Sequence, residues 1–197
     1  MKKGKFIVIY GINNLGKSTQ ANLLVKAIKK AGKKAEYIKY PIYDSEPAGK
    51  LINEYLRKGN PQKFTPREFQ LLHFIDRKNH EAILKNKLEK GINIIAEDYF
   101  GTAMAWGLAT GVDLKFLEYL NKFILKEDMA FFLDGKRFRE AEEKNHKHEK
   151  DENLMEKARI AHLKIGKKYG WQKIDVSLPL EKKHEIVWGK VRQCIFK

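Results

Sequence analysis

Short apolar runs alternate with amphipathic stretches along most of the chain. The apolar runs predict strands near residues 5–10, 34–39, 92–96, 128–133 and 171–175. Between them, apolar residues recur at helical spacing, which predicts helices near 17–31, 47–58, 66–90, 113–125, 152–168 and 180–195. Strands that alternate with helices in this way favour a parallel sheet covered by helices on its faces. The pattern therefore predicts a three-layer α/β fold with a five-stranded parallel sheet.

The first predicted strand leads into a glycine-rich turn and then into a helix. Gly11 is followed by four residues and then by Gly16, Lys17 and Ser18, which is the spacing of a phosphate-binding P-loop. Glycines let the backbone N–H groups approach phosphate oxygens, while Lys17 would neutralise the β- and γ-phosphates and Ser18 would hold Mg²⁺. The alternative is a glycine turn with an incidental lysine. The strand before it and the helix after it favour a site for ATP or GTP.

Composition narrows the class of protein. The chain has 197 residues and one cysteine, Cys194, so we expect a single domain over 1–197 without an internal disulfide. The start does not resemble a signal peptide, and no apolar run is long enough to cross a membrane. These features predict a cytoplasmic enzyme.

The net charge of +15 makes nucleic acid a candidate partner, because basic side chains neutralise backbone phosphates. The lysines, however, are scattered along nearly every predicted helix beside glutamates, a pattern more typical of solvated helix faces than of a nucleic-acid groove. Nucleic acid is therefore not the expected partner.

A charged segment follows the fourth predicted strand. Over residues 135–152 it contains Arg137, Arg139, Lys147 and two histidines with almost no apolar residue. Such a segment is either an exposed loop or a basic lid that closes over the transferring phosphoryl group. The P-loop elsewhere in the chain favours the lid, but the sequence does not choose which basic residue reaches the phosphates. On the residues alone, Asp76 and Arg77 in the long helix are best interpreted as a local salt bridge or surface pair.

Several short motifs, in order, resemble those of thymidylate kinases. They are the P-loop, "YP" after the second strand, "LLHFIDRKNH" in the long helix, "EDY" at the end of the third strand, "AWG" beyond it, and "HKHEKD" followed by "GWQKID". The resemblance runs from about residue 6 to 191. It implies the P-loop nucleoside-monophosphate-kinase fold, ATP and Mg²⁺ as cofactors, thymidine monophosphate (dTMP) as acceptor, and a homodimer.

The same resemblance assigns residues to the donor and the acceptor. ATP would bind along the loop at Gly11, Ile12, Asn13, Asn14, Leu15, Gly16, Lys17, Ser18 and Thr19. The acceptor would contact Asn13, Pro41, Tyr43, His73, Phe74, Arg77, Asp98, Thr102 and Trp106. The catalytic residues would be Lys17, Arg77, Glu97, Arg137 and Arg139, and the metal ligands would be Ser18 and Glu97.

Three of these positions have specific roles in the family. Arg77 matches the arginine that grips the acceptor phosphate, which reverses its interpretation as a surface pair. His73 stands where the family usually has a phenylalanine that stacks on thymine, and Trp106 matches an aromatic residue beside the deoxyribose that excludes a 2′-hydroxyl.

The chain also departs from the family pattern. Asn13 and Asn14 replace an acid–glycine pair, so an amide stands where a carboxylate would bind the 3′-hydroxyl. Asp98 replaces a signature arginine, and Tyr43 lies near the place of a further acceptor-gripping arginine. We expect Glu97 to act on hydrated Mg²⁺ and Asp98 to orient a basic group, Arg77 or a lid residue.

The expected reaction is transfer of the ATP γ-phosphoryl group to dTMP. Because the site is less positive than the family pattern, two alternatives stay open. One is a kinase for another nucleotide or nucleoside, and the other is a nucleotide-binding regulatory protein without turnover.

Overall fold

A parallel sheet of five strands forms the centre of the molecule. The structure is a computed structural model that describes residues 2–136 and 151–196. Its strands are β1 (Phe6–Tyr10), β2 (Ala35–Lys39), β3 (Asn93–Glu97), β4 (Met129–Asp134) and β5 (Gln172–Asp175). They lie in the order β2-β3-β1-β4-β5, and every neighbouring pair is parallel. The predicted five-stranded parallel sheet is therefore confirmed.

Helices cover both faces of this sheet. They are α1 (Lys17–Lys30), α2 (Ala48–Arg57), α3 (Pro66–Glu89), α4 (Phe100–Ala109), α5 (Leu114–Asn121), α6 (Glu152–Tyr169) and α7 (Leu180–Phe196). In β1, Phe6 and Val8 pack into one core with residues of α3, α4 and α6, whereas Ile7 and Ile9 pack into a second core with α1 and α7. The alternation of side chains along a strand divides the interior into these two layers of packing.

The helix α4 is absent from the sequence-based prediction. Its segment, FGTAMAWGLA, is buried on nearly every side, so it lacks the apolar and polar faces by which an amphipathic helix is recognised. Gly101 and Gly107 permit this burial. A Cβ atom at Gly101 would lie 2.2 Å from Trp171, and one at Gly107 would lie 2.7 Å from Leu117.

Strand register brings the candidate chemistry to one edge of the sheet. Glu97, the last residue of β3, is paired with Ile9 of β1 on one side and with Lys39 of β2 on the other. The P-loop begins directly after β1. Ligands of open α/β sheets bind beyond the carboxyl ends of the strands, and that edge is where these residues lie.

Most of the predicted lid, including Arg137 and Arg139, lies outside the described residues. The structure describes its two borders, at Gly135 and Lys136 after β4 and at Asp151 and Glu152, where α6 begins. Within residues 2–136 and 151–196, no helix has the length and apolar character needed to cross a membrane.

Candidate active site

The P-loop turns sharply between β1 and α1. Gly11 has a φ of 153°, and a Cβ atom there would lie 2.9 Å from the carbonyl oxygen of Leu133. Asn14 and Gly16 also have positive φ values, 64° and 80°, a region that glycine and asparagine tolerate best. The loop therefore leads directly into the N-terminus of α1, where backbone N–H groups favour an anion.

Lys17 folds back over the loop that precedes it. Its Nζ donates hydrogen bonds to the carbonyl oxygens of Gly11 at 3.0 Å and Ile12 at 2.9 Å. The same Nζ lies 3.6 Å from Oδ2 of Asp98. Only 5% of the side chain is exposed, so its positive charge is held within the loop and oriented before any nucleotide binds.

Glu97 lies at the centre of a polar cluster beside the loop. Its Oε2 accepts hydrogen bonds from the Ser18 hydroxyl at 2.5 Å and from the Tyr37 hydroxyl at 2.6 Å, and its Oε1 pairs with Lys39 Nζ at 3.2 Å. Burial opposes ionisation of Glu97, but the charges of Lys17 and Lys39 and these hydrogen bonds hold its pKa below the ordinary value. A charged carboxylate therefore lies next to the P-loop serine.

Asp98 faces the same loop but has different partners. Its φ of 60° turns the backbone after β3, so that both adjacent carboxylates can face the loop. Its Oδ1 accepts a hydrogen bond from Thr102 Oγ1 at 2.7 Å. Burial raises the pKa of Asp98, Glu97 adds to this effect, and Lys17 opposes it. Among the described residues, Asp98 forms its ion pair with Lys17 rather than with Arg77. The lid residues, which are the other alternative predicted from the sequence, lie outside the described residues.

A cleft of about 290 Å³ joins the P-loop to the region after β2 and to α3. Most of the residues predicted for donor and acceptor line it. These are Asn13, Asn14, Leu15, Gly16, Lys17, Ser18, Thr19, Pro41, Tyr43, His73, Glu97, Asp98, Thr102 and Trp106. Ile12 instead lines an adjacent cavity of about 420 Å³, together with Gly135, Met155 and Arg159.

Arg77 and Phe74, which the resemblance assigns to the acceptor, are not among the residues that line the cleft. Arg77 is 1% exposed, and its Nη2 donates a hydrogen bond to Oδ1 of Asn121 in α5 at 3.2 Å. Burial lowers the pKa of Arg77. Its Nε has no hydrogen-bond partner among the described residues. Phe74 packs against the core on the α3 side of the sheet.

The residue before Arg77 connects α3 to the cleft wall. The carboxylate of Asp76 accepts hydrogen bonds from the Ile42 N–H, at 3.3 and 3.2 Å, and from the Ser45 hydroxyl at 2.7 Å. These bonds fix the segment after β2 that carries Pro41 and Tyr43. The pair of charged residues in α3 therefore has buried structural contacts rather than the surface location inferred from the residues alone.

Five further residues of the lining were not predicted from the sequence. They are Lys39, Tyr40, Leu56, Arg57 and Phe69. Lys39 ends the predicted strand 34–39, and a basic residue at the carboxyl end of a strand is a signal that could have identified it. Arg57 carries no such signal, because it reaches the cleft through the packing of α2 against α3.

Fold and loop together define a P-loop nucleotide-binding protein. Such a protein has a parallel sheet with helices on both faces and a glycine loop ahead of α1. A lysine and a serine stand at the start of that helix.

The comparison with known proteins identifies the family. The family model for thymidylate kinase matches residues 9–187, and the chain belongs to the thymidylate kinase family. A protein named "Probable thymidylate kinase" from Thermococcus kodakarensis is 36% identical over 136 residues, which are 66% of this chain and 65% of that protein. Thymidylate kinase of Homo sapiens is 29% identical over 189 residues, covering 93% of this chain and 88% of the human protein.

A solved structure has the same fold. Thymidylate kinase from Candida albicans superimposes with a TM-score of 0.81 at 24% identity, covering 97% of this chain and 92% of that chain. The agreement extends over nearly the whole molecule and confirms the fold class predicted from the alternation of strands and helices.

Proposed function

We propose that this chain transfers the γ-phosphoryl group of ATP to dTMP, giving ADP and dTDP. One observation carries the proposal: a single cleft contains both the P-loop with Lys17 and an aromatic acceptor side with His73 and Trp106. Membership of the thymidylate kinase family supports dTMP as the acceptor.

The donor side fits the phosphates of ATP and Mg²⁺. The turn at Gly11 and Gly16 leaves room for close approach of phosphate to the backbone, and Lys17 supplies a fixed positive charge. Ser18 and Glu97 would hold Mg²⁺, because a hydroxyl and a charged carboxylate are oxygen ligands that this ion prefers. The ion would supply positive charge beside the β- and γ-phosphates. The cavity next to Ile12 could receive the rest of the donor.

The acceptor side fits a nucleoside monophosphate with a planar base. Tyr43, Phe69, His73 and Trp106 provide aromatic surface along this part of the cleft. In the proposal, His73 stacks on thymine, Trp106 packs beside the 2′ position of the sugar, and the Asn13 amide binds the 3′-hydroxyl. Pro41 and Thr102 complete the wall.

Catalysis in this proposal is positioning and charge stabilisation. An oxygen of the acceptor phosphate forms a bond to the γ-phosphorus as the bond from that phosphorus to the β–γ bridging oxygen breaks, and the electron pair leaves with ADP. Lys17 stabilises the negative charge that develops on the phosphoryl oxygens. Arg137 and Arg139 of the lid segment are proposed to add charge when the lid closes. A direct contact from Arg77 is not part of the proposal, since that side chain is buried beneath the cleft.

A homodimer is part of the same proposal. On α3, the apolar side chains of Leu71, Ile75 and Ile83 are exposed, and a stripe of this kind supports contact with a second copy. Sedimentation equilibrium at several protein concentrations tests it, with a dimer expected. We further propose that the enzyme acts in the cytoplasm, where both of its nucleotide substrates are present.

A coupled assay of ADP release tests the proposed reaction against its alternatives. The panel contains dTMP, the other nucleoside monophosphates and the nucleosides, each with ATP and Mg²⁺. Turnover highest with dTMP supports the proposal. Turnover highest with another acceptor would indicate a kinase of different specificity, and nucleotide binding without turnover would indicate a regulatory protein.

A further inference from the structure

The acceptor of the proposed reaction brings a doubly charged phosphate into the cleft. Such a group requires positive charge on the acceptor side, distinct from the charge that binds the donor. This requirement rests on the proposed function, because the acceptor is taken from it. Among residues 2–136 and 151–196, three cationic side chains line the cleft, namely Lys17, Lys39 and Arg57.

Two of these three cations are held by donor-side groups. Lys17 Nζ donates to two carbonyl oxygens of the P-loop and lies 3.6 Å from Asp98. Lys39 Nζ pairs with Oε1 of Glu97 at 3.2 Å. Both cations therefore neutralise carboxylates next to the loop.

Arg57 is placed differently. It is the last residue of α2, and its Nη1 donates a hydrogen bond to Oδ1 of Asn53 at 2.7 Å. Its guanidinium carbon lies 4.5 Å from the centroid of the Tyr43 ring, so the guanidinium is held against an aromatic wall of the cleft. The C-terminus of a helix also favours a cation.

This arrangement suits a phosphate. A guanidinium carries its N–H donors in a planar fork, the geometry that matches two oxygens of a phosphate, and here Asn53 and Tyr43 orient that fork. The half-buried location reduces screening by water. Arg77, by comparison, is buried and donates a hydrogen bond to Asn121.

We propose that Arg57 binds the phosphate of the acceptor nucleotide and that Tyr43 positions its guanidinium for this contact. Tyr43 lies near the place where some members of the family carry a further acceptor-gripping arginine. In this chain the cation is Arg57 of α2 instead, and the Tyr43 ring holds its guanidinium in place.

Substituting Arg57 tests the proposal. Arg57→Gln removes the charge and the guanidinium fork while keeping a shorter polar side chain. We expect the KM for dTMP to rise about 10- to 100-fold, as for loss of charge-assisted hydrogen bonds, while the KM for ATP changes less than about twofold. Arg57→Lys should restore part of the affinity, since it returns the charge without the fork.

Comparing dTMP with thymidine, which lacks the phosphate, distinguishes loss of a phosphate contact from a change in the structure of the cleft wall. Calorimetric titration should show that the unsubstituted protein binds dTMP more tightly than thymidine, and that Arg57→Gln weakens dTMP alone. Arg67→Gln is the matched control, because Arg67 also lies over an aromatic ring, Phe116 at 4.0 Å, but is exposed and is not in the cleft lining.

Two results would overturn the proposal. One is an Arg57→Gln protein whose dTMP affinity equals that of the Arg67→Gln control, and the other is equal weakening of dTMP and thymidine. The proposal would also be overturned if the unsubstituted protein bound dTMP no more tightly than thymidine. Failure of the proposed reaction is distinguishable, because it appears as absent turnover of dTMP in the unsubstituted protein.

Discussion

Glu97 and Asp98 are neighbours in the chain, yet the cleft gives their carboxyl groups opposite electrostatic environments. Glu97 has a lowered pKa and contacts the P-loop serine, whereas burial raises the pKa of Asp98, which contacts Lys17 and Thr102. The first arrangement fits a metal ligand, and the second fits a group that positions the loop lysine. Their different environments depend on the backbone turn at Asp98, which no pattern in the sequence predicts.

Replacing each carboxylate with its amide, which has nearly the same shape but no charge, separates the metal-binding role of Glu97 from the positioning role of Asp98. Glu97→Gln should lower kcat/KM by at least about 100-fold, because it removes the charge proposed to hold Mg²⁺. Asp98→Asn should cost less than about tenfold, since an amide oxygen can still accept from Thr102. The measurement is kcat/KM at several Mg²⁺ concentrations, with the thermal midpoint as a control for folding. A larger loss in Asp98→Asn than in Glu97→Gln would reverse the two assignments.

Among the elements, α3 supports the cleft from beneath. Asp76 accepts hydrogen bonds from the segment after β2, and Arg77 donates one to Asn121 of α5. One turn of α3 therefore connects the cleft wall after β2 to α5. The capping box of Thr65 and Glu68 fixes where this helix begins. We therefore expect changes at Arg77 to affect stability more than substrate affinity.

Two substitutions of Arg77 test this expectation. Arg77→Ala leaves a cavity and an unpaired Asn121 oxygen, and should lower the free energy of unfolding by about 2–4 kcal/mol. Arg77→Met keeps most of the volume without the charge and should cost less, as for other buried charges replaced by apolar residues. Urea denaturation measures both. If Arg77→Met raised the KM for dTMP at least tenfold without loss of stability, Arg77 would be an acceptor ligand.

The sequence alone predicted correctly those features whose signals lie close together in the chain. The P-loop was predicted correctly because its turn, its lysine and its helix start lie within eight consecutive residues. The helix α4 was missed because its apolar residues face every direction, and Arg57 was missed because only the packing of α2 brings it to the cleft. The burial of Arg77 was missed for a related reason, since a motif identifies a residue type but not the depth of its side chain.

The molecule as a whole is a sheet between two packed layers, and one of these layers contains a buried histidine. His162 of α6 lies parallel to the ring of Phe132 in β4, with 5.7 Å between centroids. Its Nδ1 bonds the Ala158 carbonyl oxygen at 2.8 Å, while its Nε2 has no partner within the described part of the chain. Burial lowers the pKa of His162 to about 4. This histidine is neutral in the folded protein near pH 7.

Its lowered pKa predicts how stability depends on pH. The unfolded chain binds a proton at this position below the ordinary value of 6.5, whereas the folded protein does so only near 4. Stability should therefore fall as the pH is lowered through this window, by about 3 kcal/mol from His162. Denaturant unfolding between pH 4 and pH 7 should show a flatter dependence in His162→Leu than in the unsubstituted protein. Parallel curves for the two proteins would contradict this origin of the pH effect.

In the proposed reaction, one cleft transfers a phosphoryl group from ATP on the P-loop to dTMP on the acceptor side. Incubation with ATP labelled at the γ-phosphate, followed by separation of the nucleotides, tests it most directly. We expect the label in dTDP for the unsubstituted protein and none in Lys17→Ala, whose circular dichroism spectrum should be unchanged. Label found only in inorganic phosphate would show that the cleft does not transfer the group to dTMP, and equal transfer by Lys17→Ala would show that the P-loop lysine has no part in the transfer.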